Sequence, residues 1–310
     1  MATNGSVPTM SLARGRLFGQ RISLGKIMAW VVLGIAILII LFPFWWVIRT
    51  SLSNQRAMLA APESLLPVQS NTINYARVLG QVDTATAIAA GGSGQKINFF
   101  LYLRNSVIVS VLIVIGQVFF SALAAYAFAR LHFPFREPLF FLYITGLMIP
   151  GIVTLIPNFI LIRQLHWENT FLGIIAPAFL MSPFAVFFLR QFFLGINRDL
   201  EEAAMLDGCG TFGVFTRIIL PISVPPVVTI GILTFVTSWN NYLWPYLVGQ
   251  KDNVRVLTAA LAIFRSQTPQ GAPDWTGLMA ATIISMVPTL LLFAVFGRRV
   301  VNNIQFTGFK

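Results

Sequence analysis

The sequence predicts an all-α membrane protein with six transmembrane helices, and three observations carry that prediction. Apolar residues make up 56% of the 310-residue chain and charged residues only 10%, against about 25% charged in soluble domains. Six stretches, roughly 27–48, 105–129, 138–161, 170–189, 222–248 and 277–297, are long enough for a hydrocarbon core that needs about 20 helical residues. None of the six contains Asp, Glu, Lys, Arg or His. The length allows one sizeable external segment but no additional large soluble domain.

The first span follows an N-terminal segment, 1–26, that carries Arg14, Arg16, Arg21 and Lys26. A secretory signal would have a shorter apolar core and a small-residue cleavage site directly after it. Here the run continues through Phe42-Pro43-Phe44-Trp45-Trp46 to Ile48, so an uncleaved span with its N-terminus inside is expected. That orientation makes 1–26, 130–137, 190–221 and the tail 298–310 cytoplasmic, with 12 Lys and Arg against 9 on the other side. The excess agrees in sign with cytoplasmic retention of basic residues. The net charge of +11 would suggest nucleic acid in a soluble protein; beside apolar runs it is explained by lipid headgroups, and no nucleic-acid partner is expected.

The external segment 49–104 divides in two. Pro62 to Leu79 is a Pro-bounded turn region leading into a short helix, and Gln81 to Asn98, rich in Ala, Gly and Thr, reads as a flexible insertion. Its Gly91-Gly-Ser-Gly-Gln-Lys96 fails as a phosphate loop, because Gln95 separates Gly94 from Lys96 and Ile97 stands where Ser or Thr is required. Pro150, Pro157, Pro177, Pro183, Pro225, Pro226, Pro245 and Pro288 lie in or near spans three to six, where each removes a helix hydrogen bond and favours a kink.

The polar interruption Leu200 to Pro221 separates two apolar blocks. Glu201 and Glu202 followed by Ala203, Ala204, Met205 and Leu206 predict a short helix, with acids at the positive end of its dipole, ended by Gly208 and Gly210. Phe212 and Phe215 add apolar area that a lone aqueous loop would not need. Glu202-Ala203-Ala204, then Gly208, then Ile218-x-Leu220-Pro221 resembles the EAA loop of ABC importer permeases. Asn74-Tyr75, Asn105-Ser106, Met148-Ile149-Pro150-Gly151 with Ile156-Pro157, Asn169-Thr170, Trp239-Asn240 with Leu243-Trp244-Pro245, and Thr307-Gly308 with Lys310 are similar to the carbohydrate, maltose-type permeases. The likeness covers the chain apart from its first 25 residues and the 81–98 insertion. His166-Trp167-Glu168, where such permeases commonly have a Gly-Leu-type turn, and Phe309 in the tail depart from it.

The resemblance implies the type I ABC importer permease fold, with residues 27–297 as the membrane domain and a coupling helix in the cytoplasmic loop 190–221. It implies contact with an ATPase through Glu202, Ala203, Ala204, Asp207, Gly208, Phe212, Phe215, Ile218, Leu220 and Pro221. Gln305, Phe306, Thr307 and Gly308 would insert between two cytosolic ABC ATPase subunits. Thr268, Pro269, Gln270 and Gly271, in the external loop 249–276, would reach an extracytoplasmic substrate-binding protein; a passive connector is the other reading. A second, homologous permease subunit completes the assembly. ATP and Mg belong to the ATPases, and no cofactor is expected in this chain.

Thr234, Thr237, Ser238 and Asn241 in the fifth span recur at spacings of 3, 4 and 7, which places them on one helical face. Unsatisfied polar groups are costly in lipid, so the stripe faces either a translocation path or another helix. Trp239, Tyr242 and Trp244 serve either an interfacial belt or sugar stacking. His132 and His166 fall on opposite sides, and the sequence shows no metal-ligand spacing or nucleophile motif. The single Cys209 rules out an intrachain disulfide.

The sequence therefore predicts a non-enzymatic, multi-pass permease subunit in a bacterial or archaeal cell membrane, importing a carbohydrate, a di- or oligosaccharide, at the cost of ATP. Glycerol phosphate or another polyol-like solute is the alternative cargo. A secondary carrier independent of ATP would need intramembrane ionisable groups, which the spans lack.

Overall fold

The computed structural model describes residues 24–94, 97–265 and 271–306, the side chains of 263 and 298–306 apart. It is all-helical in its long elements and divides into two compact units, 1–46 and 47–310. The first unit holds most of α1 (Leu24–Ser51), whose stretch up to Trp46 has Lys26 as its one charge. A helix apolar all round is suited to lipid.

In the second unit, α2 (Gln55–Ala60), α3 (Ile73–Val78) and α4 (Thr84–Ala89) are short and precede α5 (Phe99–Arg130), a 32-residue helix with no proline. The next three spans are broken. α6 (Arg136–Ile144) runs through a 3-10 turn into α7 (Gly151–Gln164) with a bend of 97°. α8 (Phe171–Phe179) meets α9 (Pro183–Leu194) at 41°. After α10 (Asp199–Leu206), α11 (Thr211–Val214) passes through a π-helical turn, Phe215–Ile219, and α12 (Leu220–Ile222) into α13 (Val224–Trp239), bent by 79°. α14 (Leu243–Val248), α15 (Leu257–Leu261) and α16 (Trp275–Phe306) follow. Among the described residues three helices are long and apolar enough to cross a membrane, or up to six if each bent pair is one span.

Proline sets two of these breaks. Ile149 and Ser182, each preceding a proline, are extended at ψ 113° and 136°, because the following ring clashes with α backbone at the residue before it. Pro157, Pro177 and Pro288 instead sit inside continuous helices. The fifth span departs from a single run over 222–248: its helix stops at Trp239, with Asn240 as C-cap, and resumes at Leu243.

α5 is the helix around which the second unit packs. Ala122, Ala125 and Ala129 give it a small-residue face on which Ala185, Val186, Leu189 and Phe193 of α9 lie, the close approach that membrane helix pairs favour. Higher on α5, a Cβ at Gly116 would stand 2.5 Å from the carbonyl oxygen of Phe179, so only glycine permits the crossing with α8.

The far end of the unit is tied by buried polar groups. Asn74 donates from Nδ2 to the carbonyls of Ser51 and Ser53 at 2.8 and 2.9 Å. Arg77 pairs with the buried carboxylate of Asp274, which also accepts the backbone N–H of Ser93 at 2.9 Å and of Gly277 at 3.0 Å. Gln55 donates to the carbonyl of Pro273 at 2.9 Å and accepts from the N–H of Thr276 at 3.1 Å. The described part of the 81–98 segment is thus not a loose insertion. It holds a helix and ends on the Arg77–Asp274 pair, and the glycines have a packing reason: a Cβ on Gly92 would stand 2.0 Å from Arg77 Nη2.

Candidate functional site

Two features stand out, a cavity in the middle of the second unit and a surface at its near end. The cavity has a volume of about 810 Å³ and is bordered by α5, α7, α8, α9, α13 and α14. Gln117, Thr154, Asn158 and Ser182 contribute polar groups, as do Thr234, Thr237, Ser238 and Asn241. All four residues of the expected stripe therefore meet the same space, although Asn241 lies beyond the end of α13 and reaches it from the break before α14. Val109, Ile113, Leu233, Leu243 and Trp244 supply apolar walls. Among the described residues no Asp, Glu, Lys, Arg or His borders the cavity.

A lining of hydroxyls and amides between apolar walls offers donors and acceptors without a charge, which suits a neutral polyhydroxyl solute better than an ion. The Oγ of Ser238 is buried and has no hydrogen-bond partner among the described residues. Such a hydroxyl costs about 1–3 kcal/mol, and with no accessible surface of its own it does not meet the contents of the cavity. Of the aromatic residues, Trp244 donates from Nε1 to the carbonyl of Ile174 at 3.1 Å and Trp239 to that of Ser285 at 3.2 Å, so both indoles are held by neighbouring helices. Tyr242 and Tyr246 stack on each other, centroids 5.2 Å apart, and are exposed.

The near-end surface is built on α10. Its C-terminus closes as the residue pattern demands: Gly208 takes φ +86°, its N–H donates to the carbonyl of Met205 at 3.0 Å, and the N–H of Cys209 donates to that of Ala204 at 2.9 Å. These two bonds form the Schellman end for which a left-handed glycine is the favoured residue. A Cβ placed on Gly208 would meet no other atom within 4 Å, so the position opens outward.

The helix has two sides. Ala204 and Glu201 are buried, Ala204 against the α5 and α9 core. Glu202, Ala203, Asp207 and Gly208 are exposed, flanked by Leu206 at 90% and Phe212 at 65% exposure. Phe215 turns the other way: it is 2% exposed and packs on Tyr126 with ring centroids 5.1 Å apart. It supports the surface from below and adds no outward apolar area. Ile218 and Leu220 pack against the same core, while Pro221 is exposed at the bend into α13.

Two arginine–glutamate pairs hold this end together. Arg130, the last residue of α5, has its Nε 2.8 Å from Oε1 of Glu201, with the side chains 4% and 6% exposed, and donates from Nη2 to the carbonyl of Ile196. Arg190 of α9 donates to both carboxylate oxygens of Glu137 at 2.9 Å, to the carbonyl of Phe128 at 3.2 Å, and lies 4.0 Å over the ring of Phe140. Neither pair was legible in the sequence, which offers two adjacent glutamates and no sign of which one turns inward.

Gly271 is described and exposed, whereas Thr268, Pro269 and Gln270 lie outside the described residues. Thr307 and Gly308 do too, and of Gln305 and Phe306 only the helical backbone is described. The rest of the far-end loop is anchored to other elements. Asn169, at φ +57°, accepts the N–H groups of Gln250 and Lys251 at 2.9 Å. Asn105 donates to the carbonyls of Asp252 and Arg255 at 3.3 and 3.0 Å, and Ser106 Oγ accepts the N–H of Leu257 at 2.7 Å. Asn105, Ser106 and Asn169 are therefore anchors for that loop, while Thr170 caps α8 by accepting the N–H of Gly173 at 3.1 Å. Among the described residues no group of three or more His, Cys, Asp or Glu side chains could hold a metal ion.

Comparison with known proteins adds the following. Residues 117–305 match the family model described as binding-protein-dependent transport system inner membrane component. The chain is 34% identical over 282 residues, 91% of its length and 87% of the other, to the probable ABC transporter permease protein YurM of Bacillus subtilis. It is 35% identical over 212 residues to the arabinooligosaccharides transport system permease protein AraQ of Halalkalibacterium halodurans, covering 68% of this chain and 75% of that one. A crystal structure of a bacterial ABC transporter involved in the import of the acidic polysaccharide alginate contains a chain with the same fold, with a TM-score of 0.74 at 21% identity, over 92% of this chain and 99% of that one.

Proposed function

The chain belongs to the family of binding-protein-dependent transport system inner membrane components, and we propose that within it the chain is the permease subunit of an ATP-driven importer for a neutral di- or oligosaccharide. It is a multi-pass membrane component of a transport system and not itself an enzyme. The observation that carries the choice of cargo is the cavity: eight hydroxyl- or amide-bearing residues border about 810 Å³ with no ionisable side chain among them. That volume falls within the ~300–1,000 Å³ of sites that enclose small molecules. An anionic cargo such as glycerol phosphate calls for a cation or a helix N-terminus; among the described residues the lining supplies no cation, and the N-termini of α7 and α9, at Gly151 and Ser182, are the groups there that an anion would have to use.

On this reading the near end faces the cytoplasm, as do both chain termini. The exposed side of α10, with Glu202, Ala203, Asp207 and Gly208 beside Leu206 and Phe212, docks in a groove of an ATPase subunit. Ala204, Phe215, Ile218, Leu220 and Pro221 set the angle at which that surface is presented. Gln305, Phe306, Thr307 and Gly308 follow α16 into the space between two ATPases. The far-end loop, with Thr268, Pro269, Gln270 and Gly271, meets a substrate-binding protein, and a second permease subunit completes the path. The broken spans supply the hinges for alternating access, and no proton or sodium is coupled through this chain.

The test is uptake by the assembled transporter in vesicles, with the binding protein screened first for the sugars it retains. Uptake of a neutral di- or oligosaccharide that requires ATP supports the reading. Uptake that proceeds without ATP, or only of a phosphorylated solute, refutes it.

A further inference from the structure

α5 is the only one of the spans from the second to the fifth that crosses as a single unbroken helix among the described residues. It carries no proline, the commonest cause of a kink, and its 32 residues make a rod about 48 Å long. Three features are distributed along it. Asn105 and Ser106 hold the far-end loop near one end. Val109, Ile113 and Gln117 form a wall of the cavity. Arg130, at the other end, meets Glu201 of α10.

The contact between Arg130 and Glu201 differs in kind from the packing around it. Ala204, Val214 and Phe215 rest on Ala122, Tyr126 and Ala129, and apolar contacts of that sort are non-directional and allow sliding. A buried ion pair does not: Nε and Oε1 lie close without hydrogen-bond geometry, so the hold is the charge itself, and separating the pair leaves two charges uncompensated in a low-dielectric setting. Arg130 is further fixed by the carbonyl of Ile196, on the approach to α10. The neighbouring Glu202 faces outward, so the two glutamates divide the work: one grips the membrane core and the other is presented at the surface.

We propose that Arg130 and Glu201 are positioning residues that lock α10 to the end of α5, so that a displacement of α10 moves α5 as a rod and shifts the cavity wall at Gln117, 13 residues and about 20 Å away. The proposal rests on the reading of α10 as the element an ATPase displaces. A pair that served folding alone would leave motion at the cavity unchanged once the protein had assembled.

The experiment reads cavity motion directly. In a Cys209→Ser background, Leu233→Cys places a thiol on the cavity wall contributed by α13, and its reaction rate with a hydrophilic maleimide is measured on the intact transporter isolated from membranes, with and without Mg-ATP. A parent ratio of about tenfold between the two conditions is expected. Glu201→Gln and Arg130→Gln should bring the ratio to within about twofold, and the exchanged pair Arg130→Glu with Glu201→Arg should restore it. The ratio is read only on assembled complexes, so lower yield with the parent ratio marks a purely structural pair and overturns the proposal. Where a single variant yields no complex, Glu201→Asp, which keeps the charge but is one methylene shorter, is read in its place against the same two outcomes. A parent whose labelling ignores Mg-ATP overturns the transport reading itself, and the proposal with it.

Discussion

Gly208 offers the sharpest separation between what the chain needs for itself and what it presents to a partner. At φ +86° an L side chain costs about 1–2 kcal/mol, which by itself loosens the end of α10 about five- to thirtyfold. The cost is conformational only, since a Cβ at this position has no neighbour within 4 Å. Gly208→Ala and Gly208→Trp should therefore leave the permease in the membrane at wild-type abundance, with the same small drop in melting temperature for both, about 2–8 °C. They should differ in assembly: the alanine variant retains most of its ATPase, while the indole of the tryptophan variant stands in the space the partner needs and removes it. The assay is the ATPase-to-permease ratio in material purified from membranes, together with thermal unfolding of the permease. A Gly208→Trp chain that carries ATPase at the wild-type ratio and takes up substrate normally would refute the docking argument. A chain that loses the ATPase because it no longer folds would refute the claim that the position is open.

Other predictions concern the cavity and the far end. Ser238→Ala removes a buried, unpartnered hydroxyl, so stability should hold or rise with the kinetics of uptake unchanged. Thr237→Val, on the cavity lining, should raise the KM for uptake of the sugar retained by the binding protein about fivefold through loss of one hydrogen bond of about 1 kcal/mol, with assembly unchanged. Asp274→Asn leaves Arg77 without its buried partner, a loss of about 3–5 kcal/mol that should lower the melting temperature by at least about 6 °C. Glu168→Gln breaks an exposed pair, 3.3 Å from Arg163 with the side chains 65% and 40% exposed, and should shift it by no more than about 2 °C. Equal shifts for those two variants would contradict the burial argument.

What the residues disclosed unaided follows a physical boundary. Apolar runs free of charge announce membrane helices because lipid leaves few alternatives, and the Glu202-Ala203-Ala204 to Gly208 spacing announces α10 and its end because both are local effects. Proline offered eight candidate kinks without separating Pro150 and Pro183, where helices part, from Pro157, Pro177 and Pro288, which lie inside helices; the bends of 97° and 41° depend on distant partners, α14 for α7 and α5 for α8 and α9. The glycines from 91 to 94 read as slack because their reasons are not local: the guanidinium of Arg77 lies against Gly92, Gln55 and Arg56 lie against Gly91, and Gly91 and Gly94 take positive φ. Glu201 and Glu202 are equivalent by composition; what distinguishes them is an arginine 71 residues earlier in the chain. The stripe from Thr234 to Asn241 was legible as one face, yet the break after Trp239 shows that its last member reaches the cavity by leaving the helix.

The most direct test of the account is to purify this chain from detergent-solubilised native membranes, identify what accompanies it, and assay the eluate for ATP hydrolysis. The account predicts a P-loop ATPase, a second permease and a substrate-binding protein, with ATPase activity in the eluate. Recovery of the chain alone, transporting solute without ATP, would contradict it.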